Sequence, residues 1–364
     1  MISWEEFKKV EHSRSARKKY LFKDGRIFHV LLSQQFNRED LETIYQTATA
    51  IRRLDKFQPA FLRYSLFGKR ALNLFAQPST RTVESFAAAE DVLGMTTRVV
   101  QDLNTSSFAK GETVEDSIRT LSSYFHAVVT RHKDDSFPMH AAWATSNSKR
   151  PVPIISGGSG SSQHVTQSLL DIYTLRYSFK DTGGIDGKRI AIISDLKRNR
   201  AARSLIYLLT KFEGIEFVLI SPDTMQIENN LREYIEKNHN LKIYDYSNVK
   251  EALKDQGKKL DTIYITRNQK EYKDNLGASA LNWNEEDYFL RWEYRNLIRE
   301  DCVIMHPLPR VNELPIEWDD FPGSVVWRQP RNGMWVRAAL FAIIFNVDQS
   351  IRAKFEDLSQ MGGY

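Results

Sequence analysis

Short apolar runs alternate with helical segments along most of this 364-residue chain. Runs such as 71–75 (ALNLF), 189–194 (RIAIIS) and 261–266 (DTIYIT) have the length and composition of strands. Strands separated by helices are typical of α/β folds, because a parallel connection usually crosses over through a helix. The alternation therefore predicts an α/β chain with mainly parallel sheets.

The length of the chain indicates two domains, because 364 residues exceed what one ordinary hydrophobic core organises. We expect each domain to be a mainly parallel sheet flanked by helices, with the C-terminal helix returning to the first domain. The Gly/Ser run at 157–162 and the helix after it mark the place where we expect the chain to cross from the first domain to the second. The predicted segments are a charged N-terminal extension outside the core (1–28), a first domain (29–164), a second domain (165–333) and a C-terminal helix that packs on the first domain (334–364).

Helix signals support this organisation. Asn37 with Asp40 three residues later is the pattern of a capped helix start, and Gly94 ends a predicted helix over 79–93. Thr113 and Asp116 form a second capping pattern. The remaining predicted strands are 126–130, 151–156, 216–221, 241–246 and 301–306.

The composition is that of a folded protein, with 41% hydrophobic and 27% charged residues. The single cysteine, Cys302, excludes an internal disulfide and a multi-cysteine zinc site. The longest apolar run, at 338–345, is far shorter than the roughly 20 residues that span a bilayer. The first residues have no apolar stretch behind their basic groups, which is unlike a signal peptide. We therefore expect a cytoplasmic protein with no membrane partner.

Arginines follow the ends of five predicted strands. The net charge of +5, from 51 basic and 46 acidic residues, would by itself suit nucleic acid, a membrane surface or a small anion. Ligands of open parallel sheets bind beyond the carboxyl ends of the strands. Positive charge gathered at those ends fits a site for a small ligand with several negative charges better than it fits an extended surface that binds nucleic acid. The arginines are Arg81, Arg131, Arg200, Arg267 and Arg310.

The sequence Ser79-Thr80-Arg81-Thr82 directly follows a predicted strand and Pro78. Hydroxyls and a guanidinium at a helix N-terminus supply donors for phosphate oxygens, and the helix dipole adds to the attraction. The alternative is an ordinary Ser/Thr cap followed by a solvated arginine. The residues of this motif alone leave both possibilities open.

The motif STRT at 79–82, followed by SF, resembles the carbamoyl-phosphate motif of the aspartate/ornithine transcarbamoylase family. Further motifs occur in family order, so that the resemblance covers about residues 29–350. They are KGET (110–113), VTRH (129–132), QHVTQSLLD (163–171), DLK (195–197) with Arg200, TRNQKE (266–271), HPLPR (306–310) with Glu313, and NG (332–333) with Arg337. HPLPR and TRNQKE are similar to the aspartate carbamoyltransferase branch. Ornithine carbamoyltransferases carry His-Cys-Leu-Pro at the HPLPR position, and Cys302 lies four residues too early to be that cysteine.

The resemblance implies transfer of the carbamoyl group from carbamoyl phosphate to L-aspartate, which gives N-carbamoyl-L-aspartate and phosphate in pyrimidine biosynthesis. It implies that the first domain binds carbamoyl phosphate, that the second binds aspartate, and that neither a metal nor another cofactor takes part. The implied catalytic residues are Arg81, Thr82, Arg131 and His164, the last three polarising the carbamoyl carbonyl. The implied contacts of carbamoyl phosphate are Ser79, Thr80, Arg81, Thr82, Ser106, Lys110, Arg131, His164, Gln167, Pro307 and Leu308. The implied contacts of aspartate are Arg200, Arg267 and Gln269.

Ser106 and Lys110 match residues that family members lend to the active site of a neighbouring subunit. The resemblance therefore implies a homotrimer with shared active sites, and it leaves open a regulatory chain or another pathway enzyme as a further partner. Taken singly, His164 is also typical of a capping or packing histidine, and Lys110 of a plain loop lysine. His306 alone would suit a structural role, and Arg200 a solvated helix face.

Five positions depart from the family pattern. Gln77 stands where a glutamate is usual and Tyr272 where an arginine is usual, so a charge network that holds the closed form of the family is neutral at both positions. Asn199 replaces a glycine, Val165 a proline and Asn312 an aspartate. None of the five is a direct substrate ligand in the family, so they bear on domain closure and rate rather than on reaction class.

Three other functions stay open from the sequence. A transcarbamoylase with another amino-acid acceptor differs only in the acceptor, and Arg267 and Gln269 favour a dicarboxylate. A catalytically weak paralogue that acts as a structural or regulatory partner draws support only from Gln77 and Tyr272. Nucleic-acid binding through the basic N-terminal segment lacks interleaved aromatic residues, so we expect no nucleic-acid partner.

Overall fold

Two parallel sheets organise the chain in the computed structural model, which describes residues 1–101, 111–160, 162–268 and 283–360. The chain divides into two compact units. Unit 1 is Met1–Leu169 with Arg331–Tyr364, and unit 2 is Leu170–Pro330. The C-terminal segment belongs to unit 1, which confirms the prediction that the C-terminal helix returns to the first domain.

Helices and strands alternate along both units, as the apolar runs predict. The helices of the described residues are α1 (Trp4–Lys8), α2 (Arg14–Leu21), α3 (Arg38–Phe57), α4 (Pro59–Ser65), α5 (Thr80–Val92), α6 (Val114–Tyr124), α7 (Phe137–Ser146), α8 (Val165–Ser178), α9 (Arg200–Leu209), α10 (Asn229–His239), α11 (Val249–Gln256), α12 (Arg328–Ile344) and α13 (Asp348–Gln360). The strands are β1 (Phe22–Lys23), β2 (Arg26–Ile27), β3 (Arg70–Phe75), β4 (Thr96–Val100), β5 (Ala127–Arg131), β6 (Ile154–Ser156), β7 (Arg189–Ile193), β8 (Glu216–Ile220), β9 (Lys242–Tyr246), β10 (Thr262–Ile265) and β11 (Val303–Met305).

The sheet of unit 1 has the order β4-β3-β5-β6, and all its pairs are parallel. Its two central strands are buried along almost their whole length. In this register Phe75 lies opposite Arg131, so β3 and β5 end side by side. The turns that follow these two residues therefore start at the same edge of the sheet.

The first 28 residues pack into the core of unit 1, so the prediction that they lie outside it is wrong. Helices α1 and α2 bury Phe7 and Leu21 completely, in the cluster that also holds Leu72 of β3 and Val128 of β5. The apolar residues of this segment are few and stand among many charged ones, so a reading of the sequence misses their common face.

The sheet of unit 2 has the order β11-β10-β7-β8-β9, again with every pair parallel. Ile193 at the end of β7 lies opposite Ile220 of β8 and Ile265 of β10. Parallel strands covered by helices on both faces are continuous apolar runs. This is why the sequence predicts β7, β8, β10 and β11 to within a few residues. The edge strand β9 is exposed or half-buried, but its isoleucine and tyrosines favour a strand and the prediction of 241–246 also matches it.

Helix ends follow the predicted chemistry. Asn37 and Asp40 form a reciprocal capping box at the start of α3, and Thr113 accepts a hydrogen bond from the Asp116 N–H at the start of α6. Gly94 follows α5 with a φ of 75°, and a β-carbon there would overlap the carbonyl of Arg63. Glycine is therefore required where this helix ends.

Two further features of unit 1 differ from the sequence predictions. The edge strand β4 is missed because its residues are exposed or half-buried, so no apolar run marks it. The C-terminal segment forms two helices, with Asn346 in the left-handed region at a φ of 59° between them.

Among the described helices, no single one is long and apolar enough to cross a membrane. The pair α12 and α13 passes on length and composition together, but it is bent by 120°.

Candidate active site

Helix α5 begins directly after β3, at the edge of the unit 1 sheet. Ser79 is its N-cap residue. Within the described part of the chain, the Ser79 hydroxyl caps no first-turn N–H and instead donates to Thr82 Oγ1 at 3.0 Å. The first turn, all of it described, carries no acidic side chain. This 13-residue helix therefore presents its first N–H groups and the positive end of its dipole to an anion.

The four residues of the predicted phosphate motif differ in exposure. Thr80 and Arg81 are exposed, Ser79 is half-buried and Thr82 is buried. The motif thus combines an exposed guanidinium with hydroxyls that range from exposed (Thr80) to buried (Thr82), all at one helix end.

Arg131 is the last residue of β5 and is 9% exposed. Its carbonyl accepts hydrogen bonds from the N–H groups of Ala76 (2.8 Å) and Gln77 (3.3 Å), which lead into the turn before Ser79. Its guanidinium Nη1 donates to the carbonyl of Gly157 at 3.2 Å, directly after β6. Arg131 thereby ties together the ends of three strands.

Gly158 brings Arg131 and His164 together. It has a φ of 95°, and a β-carbon at this position would lie 3.2 Å from Cγ and Cδ2 of the His164 ring and 3.3 Å from Nη1 of Arg131. Both side chains therefore pack against the space that the glycine leaves open. The loop is anchored before this point, because the Gly157 N–H donates to the Thr130 carbonyl at 2.8 Å. The sequence reading contains both side chains but not the glycine between them.

His164 immediately precedes α8, and its carbonyl accepts hydrogen bonds from the N–H groups of Gln167 (3.0 Å) and Ser168 (3.1 Å). The ring is 9% exposed, and Gln167 is half-buried in the first turn of the helix. Within unit 1 the open end of α5 and the pair formed by Arg131 and His164 are thus linked through the ends of β3 and β5.

Unit 2 places Arg200 and Arg267 after neighbouring strands. Arg200 is the first residue of α9, which follows β7, and is 9% exposed. Arg267 is half-buried and follows β10. Strands β7 and β10 pair in parallel and end with Ile193 opposite Ile265, so both arginines stand at the same edge of the sheet.

An ion pair between the half-buried Arg198 and the buried Asp195 shapes the turn between β7 and α9. The Arg198 Nε donates to Asp195 Oδ2 at 2.6 Å, and the Arg198 N–H donates to Asp195 Oδ1 at 3.2 Å. Asp195 is fully buried, and burial raises the pKa of its carboxyl against the opposing influence of Arg198. Asp195 therefore holds the turn that leads to Arg200.

His306 follows β11, is buried, and organises the turn at Pro307 and Leu308. Its Nδ1 accepts a hydrogen bond from the Leu308 N–H at 2.8 Å, so Nε2 carries the proton that it donates to Glu313 Oε1, also at 2.8 Å. Leu308 adopts a φ of 58° in this turn. Burial acts to raise the pKa of Glu313, but the hydrogen bond from His306 and backbone donors hold that pKa below its ordinary value. His306 thus has the structural role that the residue alone suggests.

A buried network that the sequence reading missed anchors His306. Gln329 Oε1 accepts a hydrogen bond from the backbone N–H of His306, and Gln329 Nε2 donates to Asp171 Oδ1, each at 2.8 Å. The Tyr264 hydroxyl donates to Asp171 Oδ2 at 2.9 Å. Asp171 closes the QHVTQSLLD motif, which was its only signal in the sequence.

Three predicted substrate contacts, Ser106, Lys110 and Gln269, lie outside the described residues, and so does Tyr272. Gln77 is half-buried, and in the described ranges its Oε1 accepts no hydrogen bond. Across those same ranges, no three His, Cys, Asp or Glu side chains are grouped as metal ligands.

Comparison with known proteins gives the family. Residues 29–177 match the sequence profile of the aspartate/ornithine carbamoyltransferase carbamoyl-P binding domain, and residues 186–344 match that of the Asp/Orn binding domain. The aspartate carbamoyltransferase catalytic subunit of Clostridium novyi is 36% identical over 317 residues, which cover 86% of this chain and 96% of the relative.

Solved structures agree with this match. The catalytic subunit of Methanocaldococcus jannaschii aspartate transcarbamoylase has a TM-score of 0.75 at 33% identity and covers 88% of this chain and 98% of its own. Aspartate transcarbamoylase from Trypanosoma cruzi, in complex with carbamoyl phosphate and aspartate, has a TM-score of 0.77 at 31% identity, with 86% and 95% covered. The chain therefore belongs to the aspartate/ornithine carbamoyltransferase family.

Proposed function

We propose that this chain transfers the carbamoyl group of carbamoyl phosphate to the amine of L-aspartate. The amine nitrogen forms a bond to the carbamoyl carbon, the bond from that carbon to the phosphate oxygen breaks, and the phosphate leaves with one amine proton. The products are N-carbamoyl-L-aspartate and phosphate. The observation that carries the proposal is the packing of Arg131 and His164 against Gly158, beside the open N-terminus of α5, in a chain of this family.

The phosphate of carbamoyl phosphate binds at the N-terminus of α5 in this proposal. Ser79, Thr80 and Thr82 supply hydroxyls there, and Arg81 supplies a guanidinium. Two features support the role: the described first turn has no acidic side chain, and the Ser79 hydroxyl bonds to Thr82 rather than to a first-turn N–H. A side-chain cap from Ser79 and an acidic group in the first turn would each compete with an anion, and the described residues show neither at this helix end.

The carbonyl oxygen of the carbamoyl group is polarised by Thr82, Arg131 and His164. As the aspartate amine attacks, negative charge develops on that oxygen, and donors that are already in place lower the barrier. The packing of the Arg131 and His164 side chains against Gly158 supports this role, because it orients both groups without a substrate.

The NH2 group of the carbamoyl moiety is held by Gln167 and by the backbone around Pro307 and Leu308. An NH2 group needs acceptors. The Leu308 N–H is already bonded to His306, so the turn offers carbonyl oxygens rather than donors, which supports the assignment. The scheme requires neither a covalent intermediate nor a metal, and proximity with electrostatic stabilisation supplies the acceleration.

The two carboxylates of aspartate are held by Arg200, Arg267 and Gln269. Guanidinium groups bind carboxylates through two parallel hydrogen bonds. The support is positional: Arg200 and Arg267 follow the paired strands β7 and β10 at one edge of the unit 2 sheet. Two such groups suit a dicarboxylate acceptor better than a basic one.

The assembly that we propose is a cytoplasmic homotrimer in which Ser106 and Lys110 reach into the active site of a neighbouring subunit. The family motif around Lys110 supports this. Residues 29–164 form the carbamoyl-phosphate domain, residues 165–333 form the aspartate domain, and the reaction serves pyrimidine biosynthesis.

A colorimetric assay for N-carbamoyl-L-aspartate tests the proposal. The wild type should form product, and Arg81→Ala should lose on the order of 100-fold or more in kcat/KM, because a charged donor to the phosphate is removed. Arg14→Ala makes the same change at an exposed arginine of α2 and should keep wild-type activity.

Absence of product from the wild type at saturating substrates would contradict the proposal. A panel of amino acids with radiolabelled carbamoyl phosphate tests the acceptor separately. Label transfer to another amino acid but not to aspartate would retain the carbamoyl-transfer chemistry and replace the acceptor.

A further inference from the structure

Asn199 replaces a glycine of the family pattern at a place where the backbone does not require glycine. Its φ is −77° and its ψ is 98°, a conformation open to any residue. The side chain is 2% exposed and caps α9, because Oδ1 accepts hydrogen bonds from the N–H groups of Ala201 and Ala202, both at 3.1 Å. A glycine has no side chain to cap the helix in this way.

The amide nitrogen of Asn199 reaches the ends of two neighbouring strands. Nδ2 donates to Thr266 Oγ1, after β10, and to Ser194 Oγ, after β7, the latter at 3.4 Å. Ser194 Oγ in turn donates to the Arg267 carbonyl at 3.5 Å. Ser194 and Thr266 are 1% and 4% exposed, so water competes little for these hydrogen bonds.

These contacts connect Arg200 and Arg267 through one side chain. Arg200 is the residue after Asn199, and Arg267 is the residue after Thr266. Both polar atoms of the Asn199 amide are engaged, which fixes the start of α9 against the end of β10. The bond to the Thr266 hydroxyl would be lost with a glycine at position 199.

We propose that Asn199 is a positioning residue that sets the separation of the Arg200 and Arg267 guanidinium groups, and with it the length of the dicarboxylate that the chain accepts. This inference rests on the proposed function, in which these guanidinium groups bind the carboxylates of aspartate. Groups held in place in advance bind a ligand of matching length more tightly, because less conformational freedom is lost on binding. Glutamate, with one more methylene between its carboxylates, fits the same frame less well.

Initial rates with each substrate varied in turn test this role on three variants and a control. Asn199→Gly removes both the helix cap and the link to Thr266. Asn199→Ser keeps a capping oxygen without the link, and Thr266→Val removes the acceptor while leaving the cap intact. Asn248→Gly is the matched control, because Asn248 caps α11 in the same unit with its Oδ1 2.8 Å from the Glu251 nitrogen.

Asn199→Gly should raise the KM for aspartate about tenfold, while the KM for carbamoyl phosphate stays within about twofold of the wild type. Asn199→Ser and Thr266→Val should each raise the KM for aspartate about threefold and weaken the preference for aspartate over glutamate. Asn248→Gly should lower the thermal unfolding midpoint and leave both KM values unchanged.

An aspartate KM that is no higher in Thr266→Val and Asn199→Ser than in Asn248→Gly would overturn the positioning role, as would an equal rise in both KM values. This holds even where Asn199→Gly is too unstable to assay, because the other two variants keep the cap. A wild type that forms no N-carbamoyl-L-aspartate at saturating substrates would instead overturn the proposed function, so the two failures are distinguishable.

Discussion

Helix α5 in unit 1 and helix α9 in unit 2 both begin after the end of a strand, but only α9 has its N-terminus capped by the side chain of its N-cap residue. At α5 the Ser79 hydroxyl donates to Thr82 Oγ1 and does not cap the first turn of the helix. At α9 the Asn199 side chain accepts from the N–H groups of Ala201 and Ala202.

This difference separates two modes of anion recognition. An open helix end offers several N–H groups and a dipole, which suit the three terminal oxygens of a phosphate group. A capped helix end offers the side chain that stands beside the cap, here Arg200, whose planar guanidinium suits a carboxylate. The two ends therefore match the two chemically different substrates of the proposed reaction.

Gly158→Ala should have the largest effect on activity, because it disturbs Arg131 and His164, the two side chains that pack against this glycine. The added methyl group would press on both side chains. The alanine would also have to adopt a φ of 95°, which is unfavourable for any residue with a β-carbon. In the proposed mechanism these two groups polarise the carbamoyl carbonyl, so their displacement should lower kcat on the order of 1000-fold in steady-state assays.

Gly25→Ala is the matched control for that experiment. Gly25 has a φ of 75° in the same unit, and among the described residues nothing lies within 4 Å of its added β-carbon. It shares the backbone strain without the contact. An equal loss of kcat in both variants would show that strain, and not the meeting of Arg131 and His164, is what matters.

The second prediction uses a contrast between buried carboxyls. In unit 1, Glu90 of α5 is fully buried and accepts hydrogen bonds from neutral donors, Thr97 Oγ1 at 2.6 Å and Asn73 Nδ2 at 3.2 Å. Burial raises the pKa of Glu90 to about 7 despite these bonds. In unit 2 the hydrogen bond from His306 keeps the pKa of the buried Glu313 low.

Glu90 should make unit 1 less stable as the pH rises. The pKa of Glu90 in the folded protein lies above the ordinary value of 4.5, so as the pH rises the unfolded chain loses this proton at a lower pH than the folded protein does. The stabilising contribution is complete below pH 4.5 and is lost as the pH rises to about 7. In urea unfolding across this range, the wild type should lose about 3 kcal/mol relative to Glu90→Gln. Glu84→Gln, exposed on the same helix, should follow the wild type; parallel curves for Glu90→Gln and the wild type would contradict the prediction.

Ser79→Asp should have the smallest of the three effects, and it converts the open end of α5 into a capped one. A carboxylate that accepts from first-turn N–H groups should raise the free energy of unfolding by about 1 kcal/mol. The same negative charge repels the phosphate, so the KM for carbamoyl phosphate should rise roughly thirtyfold. Ser79→Asn caps without charge and should give a smaller rise. Higher stability with an unchanged KM would break the comparison between the two helix ends.

The sequence predicts the unit 2 strands well because buried parallel strands such as β7 and β8 are continuous apolar runs. It does not reveal β4, an edge strand whose residues include the exposed Thr96 and Arg98. The N-terminal helices escape prediction because Phe7 and Leu21 reach the core from segments dominated by charge.

At the candidate site, sequence motifs supply the residues but not what they contact. Arg131 and His164 stand in recognisable motifs, whereas Gly158 is one of several small residues at 157–162 and is distinguished only by its φ and its neighbours. Asn199 is likewise visible in the sequence only as a departure from glycine. Its link to Thr266 depends on the pairing of β7 with β10, which no local pattern encodes.

Calorimetric titration of carbamoyl phosphate alone into Arg81→Ala and Arg200→Ala decides whether the two helix ends serve different substrates. We expect Arg81→Ala to lose on the order of 100-fold in affinity, because it lacks the guanidinium at the open helix end, and Arg200→Ala to stay within about threefold of the wild type. Equal losses in both variants, or full affinity in Arg81→Ala, would contradict the assignment of the phosphate to α5.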